Sequence, residues 1–344
     1  MNLLLAGELE PAERSDWAAA LRLALPGHNL SLARGEVADA SIDVAIVANP
    51  APGSLSGLPG LRLIQSLWAG VDRLLGDQTL PVGVPLARMV DPAMNSAMAE
   101  TALWATLALQ RGFFEYARHQ RASRWQVHGQ RRADESPVLV LGFGQMGRAV
   151  AGRLAQQGYP VSAWRRGATD ATGVESLAAV RVLNGAPALA DALRQTRILI
   201  NLLPLTADTR GLIDADLLAT LPRGAGLVNL ARGAHLVDAD LLAALASGQI
   251  GHAVLDVFQV EPLPADHAFW LHPQVTVLPH AAAMTDARSA AAVVARTGLP
   301  GDAWQRVPAD EGSILRVPEA DAGQQALLRN LQDADLGEGF KPCP

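Results

Sequence analysis

Short apolar runs alternate with helix-forming segments along most of this chain. In the first hundred residues, runs at 2–6, 42–48, 62–67 and 84–87 read as strands, and an amphipathic segment at 16–25 lies between the first two. Residues 95–124, rich in Ala, Leu and Met, read as one long helix with room for a break. Further strands are expected at 138–141, 161–164, 198–203, 226–230, 252–257 and 275–278, with helical patterns such as 238–246 separating several of them. Alternation of this kind builds mostly parallel sheets covered by helices. The pattern predicts an α/β protein with two such sheets, connected through the 95–124 helix.

The pattern stops after Val294. Residues 297–344 are rich in Gly, Pro, Asp and Glu, and only 323–331 keeps a helical spacing, so a poorly packed tail is expected from 295 onward. A length of 344 residues suits two domains rather than one small core. The net charge of −6 and the lack of a basic cluster argue against nucleic-acid binding. The single cysteine, Cys343, excludes a disulfide framework. No apolar run is long enough to span a bilayer and no signal-peptide pattern opens the chain, so a soluble cytoplasmic protein is expected.

The candidate chemistry begins at Gly142-Phe143-Gly144-Gln145-Met146-Gly147, set between the strand at 138–141 and a helix-forming segment. In that setting the GxGxxG spacing is a dinucleotide fingerprint. Gly142 permits the tight turn, Gly144 lets a pyrophosphate approach the backbone, and Gly147 lets helix and strand pack closely. Gln145 and Met146 open the helix whose N-terminus faces the phosphates. The next strand ends in Trp164-Arg165-Arg166, where NAD enzymes usually place a carboxylate for the ribose hydroxyls. Two guanidiniums there suit a 2′-phosphate, so NADPH is expected over NADH, with NADH still possible.

Three later residues follow predicted strand ends, where open parallel sheets bind ligands. They are Arg232, Glu261 and His280. A Glu beside a His raises the imidazole pKa and lets the ring carry a proton near neutral pH. That proton can pass to a carbonyl oxygen, while a guanidinium holds a substrate carboxylate. The other seven histidines read as structural, and no metal site is expected.

With these residues the chain resembles the D-isomer-specific 2-hydroxyacid dehydrogenase family, especially its glyoxylate/hydroxypyruvate reductase A branch. The resemblance covers roughly residues 1–294. It is carried by Leu67-Trp68-Ala69-Gly70-Val71-Asp72, Met98-Ala99-Glu100, the glycine fingerprint, and Ile200-Asn201-Leu202-Leu203-Pro204-Leu205-Thr206. Asn229-Leu230-Ala231-Arg232-Gly233, Leu255-Asp256-Val257-Phe258, Glu261-Pro262-Leu263-Pro264 and Pro279-His280 complete it. The resemblance implies two Rossmann-like domains with the active site in the cleft between them, and a discontinuous substrate domain. That division is 1–97 and 281–294 for substrate, 98–280 for NAD(P), and an atypical tail at 295–344.

It further implies that Arg232 binds a 2-keto acid, that His280 is the acid/base, and that Glu261 orients and charges it. Trp68, Ala69, Gly70 and Val71 would bind substrate, the loop offering backbone N–H groups to its carboxylate. Asp256 would lie near the nicotinamide, with Pro204 and Leu230 lining the cofactor site, although Pro204 reads equally well as a strand terminator. The expected function is an NADPH-preferring reductase of glyoxylate and hydroxypyruvate, working as a homodimer. A reductase of a bulkier 2-keto acid and a dinucleotide-sensing binding protein are the alternatives. The departure after Val294 fits a reading-frame change near codon 295, which translation of the other frames would reveal.

Overall fold

Every apolar run expected in the first hundred residues becomes a strand. The computed structural model describes residues 1–166, 177, 179–296 and the backbone of 314–316. The chain divides into two units, Met1–Met94 with the segment from Thr285, and Asn95–Met284. In unit one, β1 (Asn2–Gly7), α1 (Pro11–Ala24), β2 (Asn29–Ser31), β3 (Ile42–Ala48), β4 (Leu63–Ser66), α2 (Asp72–Leu75) and β5 (Pro85–Ala87) follow in order. The strands lie parallel in the order β2-β1-β3-β4-β5. β3 is apolar at nearly every position because both of its faces are buried, as a central parallel strand requires. The three-residue β2 is too short to have been foreseen from alternation.

The expected 95–124 helix is two helices, α3 (Pro92–Arg111) and α4 (Phe113–Arg121). Gly112 separates them with φ 70°, a left-handed conformation that glycine adopts without steric cost. Next come β6 (Val138–Leu141), α5 (Gln145–Gln156), β7 (Val161–Arg165), β8 (Val180–Asn184), α6 (Gly185–Leu193), β9 (Ile198–Asn201), α7 (Ala215–Thr220) and β10 (Ala225–Asn229). α8 (Asp238–Ser247), β11 (Ile250–Leu255) and β12 (Val275–Val277) complete unit two. All seven strands run parallel in the order β8-β7-β6-β9-β10-β11-β12. This is the doubly wound order, and its direction reverses between β6 and β9, the point at which such sheets bind dinucleotides. Apolar clusters cover both faces, one around Leu199, Leu227 and Leu255, the other around Val140, Ile200 and Val254.

The return to unit one falls at 284/285 rather than 280/281, and the first crossing at 94/95 rather than 97/98. The shift has a cause in hydrogen bonding. Ala281 and Ala282 N–H groups donate to the Asp256 carboxylate, and the Thr101 hydroxyl donates to the Ala282 carbonyl, so 281–282 stay with unit two. Beyond the crossing, Thr285 donates to the Leu67 carbonyl and Ser289 to Asp91. α9 (Ala287–Arg296) then buries Ala290, Ala291 and Val294 and lies beside α1. In the segment expected to be a poorly packed tail, β13 (Ile314–Arg316) pairs antiparallel with β5 and extends the first sheet. The helix expected at 323–331 lies outside the described residues. Among the described residues no helix is long and apolar enough to cross a membrane.

One half-buried group makes the second unit sensitive to acid. His252 on β11 stacks on Phe114 with ring centroids 4.2 Å apart, and its Nε2 is 2.9 Å from the Thr276 hydroxyl. Burial, with the nearby Arg118 and His272, lowers its pKa to about 4. The folded ring is therefore neutral, whereas the unfolded ring takes up a proton near the ordinary value of about 6.5. Stability from this group is complete above that value and is lost as pH falls from there toward 4, by up to about 3 kcal/mol. Urea unfolding of the wild type at pH 7 and pH 5 should show this loss, and His252→Gln should flatten it; equal slopes would remove His252 as the cause.

Candidate active site

The glycine turn sits at the strand-order reversal. Gly142 leaves β6 with φ 97°, and a Cβ there would stand 2.7 Å from the Leu202 carbonyl oxygen of the loop after β9. Gly147 is buried, and a Cβ on it would collide with the Gly142 carbonyl. Both glycines are thus required by backbone crowding, whatever ligand binds. Gly144 is the N-cap of α5 and supplies no side-chain cap, so the first-turn N–H groups keep their capacity for an anion. Gln145 is exposed and Met146 half-buried at that helix start.

Arg165 ends β7 and is 5% exposed. Its Nε reaches Asn184 Oδ1 at 3.4 Å, but its Nη2 is buried with no hydrogen-bond partner. Burial, and secondarily the charge of Arg148, push its pKa down. A buried guanidinium nitrogen without an acceptor is costly, and an anionic group of a dinucleotide would satisfy it. Arg166 instead forms an ion pair with Asp208, a partner that sequence spacing did not reveal. The glycine cradle and the orphaned Arg165 nitrogen together fit a phosphorylated dinucleotide.

The ends of β10, β11 and β12 carry the chemical groups. His280 Nδ1 lies 2.8 Å from Glu261 Oε2, and the other carboxylate oxygen accepts the Phe258 N–H at 2.8 Å. The hydrogen bond to Glu261 raises the His280 pKa against the opposing effects of burial and the Arg232 charge. Burial pushes Glu261 upward, yet its bonds from His280 and Phe258, with the charges of His280 and Arg232, hold it below the ordinary value. Arg232 acts on both groups electrostatically and donates through Nη1 to the Ala231 carbonyl at 2.7 Å. A Cβ on Gly233 would collide with the Phe258 carbonyl, so the loops carrying Arg232 and Glu261 press directly on each other. The structure brings Arg232, Glu261 and His280 together.

Asp256, the residue after β11, turns its side chain to the backbone of the segment that follows His280. It is 1% exposed, and its two carboxylate oxygens accept the N–H groups of Ala281 at 2.7 Å and Ala282 at 3.0 Å. Its carbonyl accepts the His280 N–H at 2.9 Å. Burial raises its pKa, offset in part by those two N–H bonds. These bonds hold His280 at φ 54°, an uncommon conformation for a residue with a Cβ. Leu230 is likewise 4% exposed, within the apolar cluster on one sheet face.

A polar network beneath the site escaped the reading of the sequence. Asn201, Asn229 and His235 are each 0% exposed. The Asn201 amide nitrogen is 3.0 Å from Asn229 Oδ1 and 2.9 Å from His235 Nδ1. Asn229 donates to the Arg232 carbonyl at 3.0 Å, and His235 Nε2 lies 3.2 Å from the Pro204 carbonyl. The network fixes the loops holding Pro204 and Arg232. Its only signal in sequence was an Asn at the end of two consecutive apolar strands.

In unit one, Trp68-Ala69-Gly70-Val71 follows β4 and precedes α2. Trp68 packs edge-on against Trp17 at 6.3 Å, and Val71 is buried. The N–H groups of Ala69, Gly70 and Val71 meet no protein acceptor among the described residues.

Known proteins similar to this chain identify its family. Residues 103–282 match the model of the D-isomer specific 2-hydroxyacid dehydrogenase, NAD binding domain. A glyoxylate/hydroxypyruvate reductase A of Serratia proteamaculans (strain 568) is 40% identical over 282 residues, 80% of this chain and 88% of that protein. The crystal structure of a D-isomer specific 2-hydroxyacid dehydrogenase from Xanthobacter autotrophicus Py2, in complex with NADPH and MES, is 38% identical. It covers 86% of this chain and 93% of that one with a TM-score of 0.79. An NADPH-dependent glyoxylate/hydroxypyruvate reductase from Sinorhizobium meliloti, in complex with NADP and sulfate, is 34% identical. It covers 85% of this chain and 92% of that one with a TM-score of 0.77. By sequence and by fold, the chain belongs to the D-isomer-specific 2-hydroxyacid dehydrogenase family.

Proposed function

We propose that the protein is an NADPH-preferring reductase of small 2-keto acids, glyoxylate and hydroxypyruvate first. The observation that carries this reading is the His280–Glu261 hydrogen bond with Arg232 beside it, on the sheet that also holds the glycine turn. The relatives named for glyoxylate and hydroxypyruvate supply the substrate class. Gly142, Gly144, Gln145, Met146 and Gly147 would cradle the pyrophosphate, with Arg165 and Arg166 toward the 2′-phosphate and Pro204 beside the cofactor. When bound, the reduced nicotinamide supplies hydride to the carbonyl carbon.

The protein's own groups do the rest. Arg232 holds the substrate carboxylate and stabilises negative charge growing on the carbonyl oxygen. Glu261 keeps His280 protonated, and the ring's free Nε2 gives its proton to that oxygen. Ala69, Gly70 and Val71 offer N–H groups to the substrate carboxylate, with Trp68 as their anchor. Asp256 acts through the backbone as a positioning residue for His280. Trp104, Leu107, Phe113, Trp125 and Val127 leave apolar surface on α3, α4 and the following segment, which supports a homodimer through unit two. A cytoplasmic setting suits an enzyme drawing on soluble pyridine nucleotide.

Turnover of glyoxylate and hydroxypyruvate with NADPH tests the reading directly, and absence of nucleotide oxidation with either acid would refute it. His280→Ala should lower kcat by about 10²–10⁴-fold. Because the protonated ring is the reactive form, kcat/KM for reduction should fall as pH rises through the raised His280 pKa. Glu261→Gln removes the main cause of that rise, so the falling limb should move to lower pH. Arg166→Ser should raise KM for NADPH by about ten- to a hundredfold while leaving KM for NADH nearly unchanged. Asn229→Ala, which frees the Arg232 loop, should raise KM for the keto acid by roughly tenfold or more without a matching change for NADPH.

A further inference from the structure

A second group of ligating side chains lies on α4, away from the strand ends. Glu115 and His119 are one helical turn apart and project from the same face. The chain turns back after α4, and His128 comes to rest beside them. One ligand atom from each of the three lies within 4.8 Å of the other two. His128 Nε2 is 3.6 Å from a Glu115 carboxylate oxygen and 3.4 Å from His119 Nδ1. The same Glu115 oxygen is 3.8 Å from His119 Nε2.

The surroundings orient these groups. His119 is 6% exposed, and its one close polar contact through Nδ1 is at the long end of hydrogen-bond distances. The Tyr116 hydroxyl accepts the His128 N–H at 3.2 Å, and the two rings are tilted at 5.3 Å. Arg118 donates to the same Glu115 oxygen at 3.0 Å, so it is the competitor for that carboxylate.

We propose that Glu115, His119 and His128 form a binding site for a borderline divalent transition-metal ion such as zinc or cobalt. Two imidazoles and one carboxylate suit these ions, whereas calcium and magnesium require mainly oxygen ligands. Tetrahedral zinc with bonds of about 2.0–2.1 Å separates its ligand atoms by roughly 3.4 Å. With one nitrogen from each imidazole, the ligand atoms here lie within 4.8 Å of one another, and rotation of Glu115 and His128, both partly exposed, draws them to that separation. Three protein ligands leave a coordination position for water or an external donor. The ion would fasten the segment around His128 to α4, a role separate from the keto-acid chemistry.

Metal-free full-length protein titrated with Zn²⁺ by calorimetry, and with Co²⁺ by visible absorption, tests the site. One ion per chain is expected, with a cobalt d–d band and a melting temperature that rises with metal concentration. Loss of an outer-shell partner costs about 10–100-fold in affinity, so Glu115→Gln and His128→Ala should each weaken binding by about a hundredfold or more. Both positions are partly exposed, so retained folding can be checked by an unchanged metal-free melt. Arg118→Ala removes the competing cation and should tighten binding. His280→Ala should leave the titration unchanged, which separates this site from the strand-end residues. Absence of a stoichiometric ion, or wild-type affinity retained in Glu115→Gln and His128→Ala, would overturn the proposal.

Discussion

The chemistry of unit two depends on a single buried carboxylate. Asp256 accepts the N–H groups of Ala281 and Ala282 through its side chain and that of His280 through its backbone. Those bonds set the course of the chain just past β12, and so decide where the imidazole meets Glu261. Burying an ionised group is expensive unless its oxygens are satisfied, and two N–H groups offset that cost here. The arrangement converts the stiffness of a parallel sheet into the placement of one ring.

The neighbouring loops are held by the same physical logic. Asn201, Asn229 and His235 have no access to water, so each polar atom must find a partner inside the protein. They find one another and the carbonyls of Pro204 and Arg232. The sheet therefore ends in two rigid loops. Gly233 lets the Arg232 loop lie directly on the Phe258 backbone, which carries electrostatic influence from Arg232 to Glu261 and His280.

Much of this was legible in sequence because buried parallel strands leave continuous apolar runs. β3, β6 and β9 announce themselves in that way, and the GxGxxG turn is fixed by backbone crowding at Gly142 and Gly147. β8 was hidden because most of its side chains face solvent at the sheet edge. β9 stops at Asn201, short of the apolar run, because the Asn201 side chain accepts the Leu203 N–H and bends the chain. At the site, spacing and resemblance pointed to Arg232, Glu261 and His280. They could not show that Asp256 spends its oxygens on the backbone or that Arg166 already has Asp208 as a partner. Such pairings depend on which loops the fold brings side by side, and no local pattern records them.

The placement of α9 has a consequence for biosynthesis. α1 buries Trp17, Ala18 and Leu21, and it lies beside a helix encoded some 270 residues later. As the chain leaves the ribosome, β1 through β5 emerge early, yet α9 cannot dock until all of unit two has been translated. The nascent first unit must keep part of that apolar helix surface uncovered meanwhile, whereas unit two, one uninterrupted stretch, can close as soon as it is made.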